Sequence, residues 1–119
     1  MRKINLTLTL IVLSTCATAA FNKTEQEQLI KINDGYKVEL KIVSNQINEL
    51  HSEVLEYFPE KKSQINALLG SWNTMANNKC ELVSFESHGT DAEFVVFNEC
   101  LIAENRKIIK FFESMISMP

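Results

Sequence analysis

The chain has 119 residues and a formal net charge of −3, a length for one domain and not two. Its acidic surplus argues against a nucleic-acid partner, and three scattered glycines cannot form a phosphate-cradling loop.

Arg2 and Lys3 precede a stretch from Ile4 to Val12 in which only Asn5, Thr7 and Thr9 are polar, followed by Ala17, Thr18, Ala19 and Ala20. This is the layout of a secretory signal peptide, with cleavage expected after Ala19 or Ala20. Residues 1–20 then leave, and residues 21–119 form a single periplasmic or secreted domain. The apolar stretch is too short for a membrane span, which needs about 20 such residues, and no second candidate follows. Leu13-Ser14-Thr15-Cys16 also resembles a lipoprotein cleavage site, but Thr15 is a poor residue before the cysteine, so lipidation at Cys16 is the lesser reading. The segment removed carries two bases and no acids, leaving ten basic against fifteen acidic residues, a net of −5.

Thr24 and Glu27 have capping-box spacing, so a helix is expected to begin there, with Leu29, Ile30 and Ile32 as its apolar contacts. Gly35 either ends that helix or sits inside a longer one. Tyr36, Leu40, Val43, Ile47, Leu50, Val54 and Tyr57 then follow at alternating steps of four and three, a seam along one helix face. It packs inside the monomer or against a second copy, the former being commoner for a repeat so short. Pro59 stops this helix and suits the first turn of the next, whose apolar positions are Ile65, Leu68, Leu69, Trp72, Met75 and Leu82. A short connection makes the two antiparallel. Ser84 to Gly89 reads as a loop, and Thr90 with Glu93 repeats the capping-box spacing. A last helix carries Phe94, Val95, Phe97, Leu101, Ile102, Ile108, Ile109, Phe112 and Met115, interrupted by Glu104 and Asn105. The expected fold is all-α, a small antiparallel bundle of three main helices.

With Cys16 gone, Cys80 and Cys100 remain, and an even pair in an exported protein reads as a disulfide; two buried free thiols are the alternative. The bridge would staple the second and third helices across their loop.

Catalytic chemistry finds no foothold. His51 and His88 lie on different elements without a nucleophile motif, and Ser87 beside His88 is an ordinary polar pair. Glu86, His88, Asp91 and Glu93 lack a recognised ligand register, and acids are expected in a first helical turn for dipole reasons. No metal, no cofactor and no enzymatic activity are therefore expected, and Trp72 is assigned to the core. Charge is segregated, however: Glu81, Glu86, Asp91, Glu93, Glu99 and Glu104 lie between Cys80 and Arg106 with no Lys or Arg among them. Such a run is either a solvated face or a patch that steers a basic partner.

Trp72 and, after seven residues, Cys80, then Gly89-Thr90, Cys100 and the basic pair Arg106-Lys107 resemble the LprI-like lysozyme-inhibitor family. Ile47-Asn48-Glu49-Leu50 and Pro59-Glu60 extend the likeness over roughly residues 40–112. The chain departs from the family in carrying Ala76 and Asn77 where an Arg-Asp pair is usual, in an Arg106 that stands two residues early, and in lacking a cysteine near the mature N-terminus. The resemblance implies an exported, helical, cysteine-bridged protein that binds and restrains lysozyme, a strongly basic enzyme. On that reading the Phe85–Glu93 loop enters the enzyme's cleft, with Phe85, Glu86, His88, Thr90, Asp91 and Glu93 as contacts. Two other classes fit the same sequence: an immunity protein against a secreted peptidoglycan-targeting toxin, and a non-enzymatic envelope protein that forms a homodimer through the Tyr36–Tyr57 seam.

Overall fold

The structure, a computed structural model, describes residues 23–118 in full and, for residues 4–22, the backbone alone. The expected signal peptide and the Cys16 lipidation site lie outside the residues described in full. Three helices carry the described chain: α1 (Ile4–Tyr57), α2 (Lys62–Ser84) and α3 (Ala92–Ile116). No strand occurs among the described residues, and the protein is all-α.

Two compact units divide at residue 32. In the first, the side chains from Lys23 to Ile32 are exposed apart from a half-buried Leu29. Thr24 and Glu27 lie inside α1, so no helix begins at the expected cap: the helix runs through it, helical propensity on both sides outweighing the local signal.

The second unit, from Asn33 onward, is where the three helices pack. Gly35 is internal to α1, the second of its two readings. Val43, Ile47 and Val54 of the α1 seam are buried with Ile65 of α2 and Ile108, Ile109 and Phe112 of α3. The seam is thus spent inside the chain. Its last member, Tyr57, is exposed, because α1 ends there and Pro59 opens a 3₁₀ turn, Pro59–Lys61, that leads into α2. Proline serves at this point because its missing N–H would have no helical acceptor anyway.

Along α2 the buried positions are Ile65, Ala76, Cys80 and Ser84, with Leu68, Leu69 and Trp72 half-buried. Met75 and Leu82, expected inside, are exposed. The reason is a change of residue size along the helix. Toward its C-terminus the inward line passes through Ala76, Cys80 and Ser84, which let α3 approach closely, while the larger Met75 and Leu82 lie on the flank. Close approach is what the Cys80–Cys100 disulfide needs, and its Cα atoms are 5.5 Å apart, a normal bridge span. On α3 the buried set is Asn98, Ile102, Glu104, Ile108, Ile109 and Phe112. Among the described residues no helix is long and apolar enough to cross a membrane.

Candidate functional site

The α2–α3 connection is built by the few residues that follow Cys80. Helix α2 runs to Ser84, a 3₁₀ turn covers Phe85–Ser87, and α3 opens at Ala92. Most of the stretch read as a loop from Ser84 to Gly89 is therefore helical in one form or another. Among the described residues Gly89 alone has a positive φ, of 75°, a conformation that glycine adopts without the steric cost of a Cβ.

The expected capping box does not form. Instead of accepting from the Glu93 amide, the Thr90 hydroxyl donates to the Ser87 carbonyl at 2.5 Å. The Glu93 carboxylate reaches past Thr90, accepting the Gly89 amide at 2.9 Å on Oε2 and meeting His88 Nδ1 at 2.9 Å on Oε1. A helix start still results, since Glu93 satisfies an amide just ahead of it, though not the one that the spacing suggested. The Gly89 hydrogen bond first, and the His88 contact second, hold the Glu93 carboxyl below its ordinary range. These bonds tie the first turn of α3 back onto the residues that precede it.

What the turn presents outward is apolar and acidic. Leu82 is 77% exposed and Phe85 74%, and Val83 is exposed as well. Glu81, Glu86 and Asp91 are exposed around them, as are His88 and Thr90. Of the six residues expected to contact a partner, Phe85, Glu86, His88, Thr90 and Asp91 are exposed, while Glu93 is half-buried and serves the turn's own bonds. Trp72 lies elsewhere, half-buried against the core, with its indole N–H donating to the Glu104 carbonyl at 3.2 Å.

Glu104 does not belong to the acidic patch. Its residue is 3% exposed, and its Oε1 is bound by Lys79 at 2.5 Å and Lys107 at 2.8 Å. Lys107 and then Lys79 hold its carboxyl below the usual range, and Glu104 in turn raises the Lys79 ammonium. Glu99 accepts the Tyr36 hydroxyl, whose own ionisation is pushed up by that bond. The effective acidic tip is therefore Glu81, Glu86 and Asp91, smaller than the run of six carboxylates in the sequence.

Comparison of the chain with protein-family models, curated proteins and solved structures returns no match.

Sequence reasoning missed the buried Glu104 triad. One signal was available: Lys107 stands three residues on, at helical contact spacing. Lys79 could be placed only once the disulfide set the α2–α3 register, which brings Ala76, with its small side chain, level with Glu104. His51 Nε2 meets Asn66 Oδ1 at 2.7 Å, and its ring lies 6.2 Å from that of Phe112. Among the described residues no group of three His, Cys, Asp or Glu side chains is disposed to hold a metal ion.

Proposed function

We propose that this chain is an exported, non-enzymatic binding protein of the cell envelope that docks on a basic peptidoglycan-cleaving enzyme of the lysozyme kind and restrains it. One observation carries the reading. At the end of a disulfide-joined helix pair, a hydrogen-bonded turn displays Phe85 and Leu82 among Glu81, Glu86 and Asp91. A solvated turn needs neither exposed aromatic bulk nor a fixed backbone. An anchor for a partner needs both, because a large apolar side chain that is already held in place loses little freedom on binding.

The carboxylates fit a cationic partner, and the family resemblance supplies the class: lysozymes are strongly basic. Phe85 acts as the buried anchor, while Glu86 and Asp91 steer approach. Exposed charges of this kind raise association rates more than final affinity. Their effect fades as salt shortens the screening length to about 8 Å at physiological ionic strength.

The experiment is a binding and wall-lysis assay with the purified protein and lysozyme across a range of salt. Association should be fastest at low salt, and lysis should slow in proportion to complex formed. Phe85→Ala should speed dissociation, and Asp91→Lys should slow association. If the protein neither binds lysozyme nor slows lysis at any salt concentration, the proposal is wrong.

A further inference from the structure

We infer that the Cys80–Cys100 bridge is a redox latch on the α2–α3 tip, which a dithiol reductant opens from the Cys100 side, freeing the end of α2 and weakening the tip's hold on its enzyme partner. The bridge has a sequence separation of 20, and Leu82, Phe85, Glu86 and Asp91 all lie inside the loop that it closes. Little else fastens the α2 side of that loop. In α2 the last residue packed on the core cluster is Trp72, and in α3 the first member of the cluster is Ile108, with the buried Ile102 standing apart from it. From Asn73 to Ser84 the buried positions are Ala76, Cys80 and Ser84, which together remove little apolar area from water. Among the described residues, one side-chain tie besides the bridge joins this stretch to α3. It runs from Lys79 to Glu104, and the Lys79 side chain is 47% exposed, within reach of solvent screening. Helix α3 has ties of its own to α1, Glu99 to Tyr36 and Arg106 to Glu39, so it is the end of α2 that the bridge restrains.

The two cysteines differ in access. Cys80 is fully buried and Cys100 half-buried, so an incoming thiolate meets Cys100 first. It forms a mixed disulfide with Cys100 Sγ and expels Cys80 as a thiolate, which takes up a proton. The second thiol of the reductant then gives up its proton, attacks the reductant's own sulfur in the mixed disulfide and expels Cys100, which is protonated in turn. Two electrons thus pass from the dithiol, which departs as a disulfide, to the bridge, which becomes two thiols. With the loop no longer closed, Phe85 and the carboxylates around it have to be ordered at each binding event, a cost that the bridged form avoids.

What the latch controls rests on the proposed function, and the test reads the two separately. The full chain carrying Cys16→Ser is reduced with dithiothreitol, freed of reductant and compared with its oxidised form. Helical circular dichroism should persist, while the gap in amide exchange between residues 76–84 and the slower residues 108–112 widens by roughly tenfold or more. The reduced form should bind lysozyme roughly tenfold or more weakly, and re-oxidation should restore binding. Acid-quenched early in reduction by mercaptoethanol, the protein should carry the mixed disulfide on Cys100. An unaltered exchange gap, loss of all helical signal on reduction, equal binding by the two forms, or an adduct on Cys80 overturns the inference. Oxidised protein that never binds lysozyme overturns the proposed function instead, and the exchange gap and the adduct then decide the latch.

Discussion

The two ends of the packed unit are held by different physics. At one, Val54, Ile65, Ile108 and Phe112 bury apolar surface from all three helices. At the other, α2 and α3 meet through Ala76, Cys80 and Ser84, residues too small to bury much, and are joined instead by a disulfide and by Glu104 with its two lysines. Apolar contact is strong at the first end because area removed from water scales with side-chain size. Small residues forfeit that area and gain closeness, which a covalent bridge can use. The lesson is that the exposed, acidic tip sits at the end least supported by hydrophobic burial, and depends on cross-links for its shape.

Substitutions at the two ends should therefore differ in character as well as in size. The largest loss is expected for Phe112→Ala at the apolar end, about 3–5 kcal/mol through lost transfer energy and the cavity left behind. Chemical denaturation measures it, and the transition should stay cooperative. Next is the bridge. Cys80→Ser and Cys100→Ser should each cost about 2–5 kcal/mol, and the double substitution little more than either, since both remove one cross-link. Unequal single losses, or free thiols in the freshly isolated protein, would break the comparison at its central point.

A smaller effect, on the order of 1–3 kcal/mol, is expected for Glu104→Gln, which removes the buried carboxylate's charge from between two lysine ammonium groups and leaves them only an amide oxygen to bond. Its signature is in pH. The folded carboxyl is held below its unfolded value, so its contribution is full above about pH 4.3 and is lost as pH falls through the lower folded value. Glu104→Gln should flatten the acid limb of the stability profile. If the wild-type and variant profiles stay parallel below pH 4.3, the triad does not act as described. The smallest change is Gly89→Ala, about 1–2 kcal/mol from forcing a Cβ into a left-handed backbone. It should shift resonances of the tip in NMR spectra and leave those of the Phe112 end in place.

The apolar end was readable from the sequence, and the cross-linked end only in part. Val43, Ile47 and Val54 announce themselves by spacing alone, because a helix face repeats every three or four residues and burial follows size. The inward line of Ala76, Cys80 and Ser84 has no such voice: small residues resemble surface ones, and Met75 and Leu82 draw attention to the wrong flank. The disulfide was legible as a count of cysteines, and the fold class with it. Glu104 was not, since its lysines come from two helices whose register depends on that same bridge. At the tip, Thr90 and Glu93 have the spacing of one hydrogen-bond pattern and adopt another. Gly89 opens a backbone route to Glu93 that spacing does not encode.

Further along α3, Tyr36 bonds to Glu99 and Arg106 to Glu39, tying the stretch of α1 that begins near Asn33 to its neighbour by polar groups. Val38 and Ile42, between and beyond these ties, remain exposed, so little apolar surface holds this stretch down. Exposed ion pairs are weak and yield to salt. The consequence is one of timing. Amide protons of residues 36–42 should exchange with solvent through a brief local opening that added salt makes more frequent, whereas those of residues 47–54 should wait for the whole unit to unfold. A single unbroken helix would then keep two clocks, one set by charge and one by the core.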